Sequence, residues 1–262
     1  HNSDEGPAFV PQTINKASEF DQYAQSLFPF FDNQTIANIS QTYLIPETKP
    51  GPLFSTLGSS GPTALNQSII AIGQQQRANN LYAELTFICP SYWISNAFAT
   101  SEKKAWKYQF SVPPAAHGSD FDAYYKPNHS SISEGTMSTG FRSAMQFSWG
   151  RFISYNDPTL PNSLINYTIS NNSVAGDQLS AADNSSWIPW NENSTIMLNM
   201  NMTGGVESYT PFFVAAGKLI NVTIHKDPGL RANWTITNAR TWEGGRGDRC
   251  DFLVELFKNH TL

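Results

Sequence analysis

Charge is scarce in this sequence. Asp, Glu, Lys and Arg make up 14% of its 262 residues, against roughly a quarter in an average soluble domain. The 16 Lys and Arg are scattered and the net charge is −5, which leaves no basic face for nucleic acid phosphates. No apolar run approaches the ~18 residues that a membrane-spanning helix needs, so no membrane span is expected. His1, His129, His225 and His260 stand far apart without the spacing of metal ligands, and His129 and His260 sit inside N-x-S/T sequons. No metal and no other cofactor is therefore expected. Cysteine is rarer still, with Cys89 and Cys250 the only two.

Apolar residues are plentiful at 40%, 13% of the chain being aromatic, enough for a large packed core. Asn, Ser and Thr take the surface share that charge leaves vacant. Twelve N-x-S/T sequons begin at Asn33, Asn38, Asn66, Asn128, Asn166, Asn171, Asn184, Asn193, Asn201, Asn221, Asn233 and Asn259. None carries Pro in the middle, and their number exceeds the few that chance would place in an Asn-rich chain. They predict a glycoprotein that is secreted and extracellular, with several of the twelve carrying glycan. In an oxidising compartment a lone pair of cysteines most simply forms one disulfide. The bridge would close a loop of about 160 residues, worth about 5 kcal/mol in the chain-entropy account.

The first dozen residues read as a loop. Phe20, Tyr23, Ala24, Leu27 and Phe28 then recur at helical spacing from Ser18 until Pro29, and a second short helix with Ile36, Ile39 and Tyr43 on one face follows Asp32. Pro and Gly make residues 46–62 a loop, and a helical stretch from Thr63 to about Thr100 is expected to break at Gly73 and at Cys89-Pro90. Lys104–Phe110 changes period, Trp106, Tyr108 and Phe110 alternating with Lys107 and Gln109 as in a strand. Residues 138–155 read as a helix, Ile196–Met202 and Leu219–Ile224 as strands, and Leu253, Leu256 and Phe257 as a short helix after Cys250. Many helices and few strands make this part of an α/β protein.

Two motifs carry chemistry: Asn2-Ser3-Asp4-Glu5-Gly6-Pro7-Ala8-Phe9, and the stretch from Phe110 through Pro113-Pro114 to His117-Gly118-Ser119-Asp120. Together with Cys89-Pro90 and Arg249-Cys250-Asp251-Phe252, in this order, they resemble the type-B carboxylesterases, the α/β-hydrolase family that includes the cholinesterases and the fungal lipases related to them. The resemblance spans most of the chain. It implies that residues 1–262 are the carboxyl-terminal half of one α/β-hydrolase catalytic domain, with a mostly parallel central sheet flanked by helices. It places the triad acid at Glu5, the triad base at His117 and a family disulfide at Cys89 and Cys250, with Asp120 in a supporting or structural place. In such a triad the acid is the middle member. Imidazole can take and return a serine proton near neutral pH, while the carboxylate fixes its tautomer.

The family's G-x-S-x-G nucleophile elbow and its Gly-rich oxyanion segment are missing from these residues; Gly58-Ser59-Ser60-Gly61 and Gly135–Gly140 both fail the spacing. The expectation is therefore that an amino-terminal part of the same precursor supplies the serine and the oxyanion hole, either as a partner chain released by cleavage and joined to this one across a large apolar interface or as a stretch from which these residues have been cut. The substrate is expected to be a small-molecule or lipid ester; lipid, feruloyl, sterol and general carboxylic esters all remain open. The competing reading is a non-catalytic, cholinesterase-like adhesion or glycan-binding glycoprotein. Phe87, Trp93, Ile94 and Phe98 are candidates to line a substrate pocket or to pack the core. The tripeptide Arg246-Gly247-Asp248 is read as structural.

Overall fold

The structure is a computed structural model that describes residues 1–45, 70–99, 102–125, 135–161 and 187–260. Its helices are α1 (Ala17–Leu27), α2 (Asn33–Thr42), α3 (Gly73–Ala83), α4 (Cys89–Phe98), α5 (Phe121–Tyr124), α6 (Thr139–Tyr155) and α7 (Trp242–His260); its strands are β1 (Lys107–Phe110), β2 (Ile196–Phe213) and β3 (Leu219–Asn238). The expected loop over 46–62, the expected helix start at Thr63 and His129 fall outside the described residues. So do the sequons at Asn66, Asn128, Asn166, Asn171 and Asn184 and the side chain of Asn259.

The early helices start where local chemistry directs. The Asp32 carboxylate accepts from the Thr35 amide at 2.8 Å and caps α2. Ser138 does the same for Phe141 at the head of α6, and Asn156 closes α6 in the left-handed conformation. The expected break at Cys89-Pro90 does not occur. Glu84–Ile88 widens into a π-helical turn in which the Cys89 amide donates to the Glu84 carbonyl, and Pro90 follows at the start of α4. Proline lacks an N–H, and the first turn of a helix is where none is required.

Among the described residues the sheet runs β1-β2-β3, β1 and β2 parallel, β2 and β3 antiparallel. The expectation of a mostly parallel sheet therefore does not hold for these strands. Only the turn around Ala215–Gly217 separates β2 from β3, and so short a link can join only antiparallel neighbours. Both strands outrun their sequence signal: β2 continues from Met202 to Phe213 and β3 from Ile224 to Asn238. A register shift between Gly204 and Val206 divides this hairpin. Its inner half packs Met202, Leu230, Ala232 and Trp234 into the core against α6. Its outer half, past the bulge, lays Phe212, Val214, Val222 and Ile224 against Ala116.

Both faces of the sheet are covered, so the polar alternation in β1 does not mark a solvent side. Tyr108 and Phe110 face α6, whereas Lys107 and Gln109 are buried with Met197 beneath α3, α4 and α7. Gln109 receives Arg246 Nη1 at 2.6 Å and donates to Glu243 at 2.9 Å. Glu84, in the π turn, accepts two bonds from Arg249 (2.8 and 2.7 Å) and one from Arg246 Nε at 3.2 Å. Arg246 is 1% exposed, which puts the Arg-Gly-Asp tripeptide to structural use. One residue beyond Arg249, Cys250 forms a disulfide with Cys89, their Cα atoms 5.2 Å apart. The Arg-Cys-Asp-Phe motif thus fastens α7 to the helix under the sheet. The helix expected after Cys250 begins earlier: α7 is kinked near its start, where Glu243, Gly244 and Gly245 are left-handed, and its right-handed run follows from Arg246, a start that no apolar periodicity announces.

Burial pushes the Glu84 carboxyl up, but the Arg249 and Arg246 charges outweigh it and hold the group below the ordinary glutamate range. The unfolded chain therefore binds this proton at higher pH than the native one. The stability that the cluster supplies is complete above the ordinary glutamate value and is lost as pH falls through the lowered native value. Glu84→Gln, which leaves two buried guanidinium groups without their counter-charge, is expected to destabilise the protein by about 3–5 kcal/mol at neutral pH. Denaturant unfolding should show that gap narrowing in acid.

Candidate active site

The backbone at the chain's start lies along the edge of β1 that β2 leaves free. Phe110 N donates to His1 O, Ser3 N to Phe110 O and Asp4 N to Ala115 O, each at 2.9 Å. Two parallel bridges, Asn2 with Phe110 and Asp4 with Ala116, record the same pairing. The expected loop is thus partly sheet, and the pairing carries Glu5 to the carboxyl end of β1, where the chain turns into His117.

Gly6 then lets the chain pass α3 at close range. A Cβ on Gly6 would stand 2.1 Å from the Asn79 carbonyl oxygen, an approach that no side chain permits. The short 3₁₀ turn Gly6–Ala8 follows, with Pro7 in its first turn. On the other limb, Gly118 sits at φ +82°, in the left-handed region that glycine occupies without a Cβ penalty. The two glycines of the D-E-G and H-G-x-D motifs therefore hold the path of the loops that bear Glu5 and His117.

The side chains meet: Glu5 Oε2 lies 2.7 Å from His117 Nδ1. A carboxylate oxygen only accepts, so Nδ1 carries the hydrogen of this bond, and in the neutral ring the lone pair is then on Nε2. Among the described residues Nε2 has no hydrogen-bond partner. The Glu5 side chain is 4% exposed and that of His117 44%, so the acid is enclosed and the ring is open on one side. Phe9 meets the ring edge-on at 5.0 Å between centroids, and Phe87 lies tilted against it at 4.7 Å. The aromatic of the D-E-G-x-x-F motif, quoted in the pattern without a role, is a wall for the imidazole.

Two further residues act on Glu5. Its Oε1 accepts from the Asn2 amide at 2.7 Å and from Asn2 Nδ2 at 3.3 Å. Asn2 is held in turn by Asp120, which accepts from Asn2 Nδ2 at 3.1 Å and donates its own amide to Asn2 Oδ1 at 3.2 Å. Tyr108 donates to the second Asp120 oxygen at 2.9 Å, and Tyr124 bonds to the Tyr108 hydroxyl. Asp120 thus stands one hydrogen-bonded step behind Glu5. Asn2 was legible only as a motif letter, because Asp120, which holds it against Glu5, lies 118 residues away.

The other candidates divide. Phe87 reaches His117, Trp93 packs on the core beneath the sheet, and Ile94 and Phe98 are exposed. Among the sequons, Asn33, Asn38, Asn193 and Asn221 are exposed and Asn233 is half-buried. Asn201 is 1% exposed, its Oδ1 bonded to the Met202 amide; as a glycosylation candidate it is corrected here, since a glycan has no room at a buried amide. No group of three or more His, Cys, Asp or Glu able to hold a metal occurs among the described residues, and no helix among them is long and apolar enough to cross a membrane. Gly6→Ala would drive a methyl into backbone that cannot yield. It is expected to destabilise the protein by ~1–3 kcal/mol, read as a lowered denaturant midpoint.

No known family's sequence model matches the chain, and no curated protein does. Among solved structures, the crystal structure of Aspergillus niger EstA is similar, with a TM-score of 0.53 at 12% identity over 97% of this chain and 38% of that one. At that identity the likeness is one of fold. The chain is a mixed α/β structure that spans 38% of EstA's length and shares its fold over that part.

Proposed function

We propose that this chain supplies the acid, Glu5, and the base, His117, of a Ser–His–Glu triad in a secreted esterase of carboxylic esters. The observation that carries the reading is the 2.7 Å bond between Glu5 and His117 Nδ1, made across 112 residues of chain. Two others support it: the fold shared with EstA, an esterase, and the absence of a G-x-S-x-G elbow from all 262 residues. The nucleophilic serine and the oxyanion hole then belong to the amino-terminal part of the same precursor. The Cys89–Cys250 disulfide and the exposed sequons fit an extracellular setting.

The chemistry follows from which atoms are held and which are free. His117 Nε2 takes the serine proton as the oxygen attacks the ester carbonyl. Glu5, fixed by Asn2, keeps Nδ1 protonated and stabilises the imidazolium. Collapse of the tetrahedral intermediate expels the alcohol, which receives the proton from Nε2 and leaves the acyl group on serine. Water then repeats the sequence with the same base and frees the acid.

Fluorophosphonate labelling of the native protein, followed by peptide mapping, tests this. The label is expected on a serine of a co-purifying amino-terminal chain; a label on a serine of these 262 residues, or no label, would refute the reading. His117→Ala should abolish labelling and lower turnover of an aryl ester by several orders of magnitude. Glu5→Gln is expected to lower it about ten-thousandfold, as an acid-to-amide change does in a serine-protease triad. Both variants should unfold at nearly the wild-type denaturant concentration.

A further inference from the structure

The outer half of the β2–β3 hairpin has one face turned onto Ala116 and one turned outward. Val214 N donates to Lys218 O at 2.9 Å, which makes these two a hydrogen-bonded pair. Such pairs alternate with non-hydrogen-bonded ones along an antiparallel ladder. Phe213–Leu219, Pro211–Asn221 and Tyr209–Thr223 are therefore non-hydrogen-bonded pairs, the kind whose side chains stand closest together. Proline fits such a position, because the N–H that it lacks would point away from β3. Alternate residues share a face, so all six side chains stand on the outward one.

That face is apolar and open. Tyr209, Phe213 and Leu219 are 68%, 64% and 52% exposed, and large apolar side chains gathered on a surface mark a place where something covers them. At their centre stands Asn221, itself exposed, and Asn221-Val222-Thr223 is a sequon. Asn221 faces Pro211 directly, with Phe213 and Tyr209 as its diagonal neighbours across the ladder. Diagonal neighbours are about 7–8 Å apart, within reach of a long side chain. An asparagine lengthened by a sugar ring is one. The N-acetylglucosamine that begins an N-linked glycan turns C–H bonds outward from the faces of its ring, and these suit the negative face of an aromatic side chain. Its hydroxyl and acetamido groups, at the rim, stay in water.

We propose that Asn221 carries an N-linked glycan whose first sugar lies on Phe213, Pro211 and Tyr209 and closes the outward face of the hairpin. The covering group is thus tethered at the centre of the face that it covers. A bulky hydrophilic group there also keeps another sheet from stacking on the hairpin. The proposal rests on the secreted reading and not on the triad.

Hydroxyl-radical footprinting with peptide mapping tests it, comparing the secreted wild-type protein with Asn221→Gln made in the full precursor. In the wild type the peptide that holds Asn221 should carry glycan, and Tyr209 and Phe213 should be oxidised severalfold less than in the variant. Phe213→Thr should lower the melting temperature of the glycosylated protein by about 2–4 °C and leave that of Asn221→Gln unchanged, which is the signature of two groups in contact. Equal oxidation of Tyr209 and Phe213 in the two proteins would overturn the proposal: equally low, a second copy or the rest of the precursor covers the face; equally high, the glycan does not lie on it. An Asn221 without glycan, in a protein glycosylated at other sequons, would overturn it alone. Absence of glycan from every sequon would overturn it together with the secreted reading.

Discussion

Everything at the candidate site hangs on the pairing of the first four residues with the end of β1. Three backbone bonds of 2.9 Å fix where Asp4 stops, and with it where Glu5 starts. Because alternate residues of an extended chain face opposite sides, a slip of one residue would turn the Glu5 carboxylate away from His117. The register is locked from both sides. Above, Gly6 wedges against the Asn79 carbonyl; below, Gln109 is clamped by Arg246 and Glu243.

A chain poor in charge still places some of it inside. Asp4, Glu5, Glu84, Lys107, Asp120, Glu243, Arg246 and Arg249 are all buried. A buried charge is tolerable only when paired and hydrogen-bonded, and the partners follow the motifs: Glu84 with two arginines, Glu5 with Asn2 and His117, Asp120 with Asn2 and Tyr108. The clusters stitch distant segments together, π turn to α7 and chain start to the loop after β1, where apolar packing alone would leave the register free.

How far this was legible in the sequence depended on range. The start of a helix after Asp32, the stop of α1 before Pro29 and the span of α6 could be read because local spacing and Pro decide each. The meeting of Glu5 with His117 and of Cys89 with Cys250 could be expected because each stands in a motif. The hairpin could not: beyond Met202 the residues Thr203, Gly204 and Gly205 break the alternation, yet β2 continues because β3 supplies its hydrogen bonds from across the turn. Alternation in β1 was read correctly as a strand, but it could not tell whether Lys107 and Gln109 faced water, since the helices that cover them come from elsewhere in the chain. The same limit applies to Asn201, a sequon by its letters and a buried amide by its place in β2.

The unequal exposure of Glu5 and His117, 4% and 44%, fits the roles proposed for them. A carboxylate that fixes a tautomer gains from being held, since each bond to Oε1 removes a way for it to turn from Nδ1. An imidazole that passes a proton must keep one nitrogen open to a reacting group. Phe9 and Phe87 reconcile these needs: their rings limit how His117 can swing without offering Nε2 a polar partner that would compete for its lone pair. Polar walls would have tied up the second nitrogen, and a fully buried ring would have had nothing to act on. The outer half of the β2–β3 hairpin, packed on Ala116, holds the loop that carries the ring from its other side. A hairpin that reads in the sequence as two short, unrelated strands is thereby part of what keeps the imidazole in reach of Glu5.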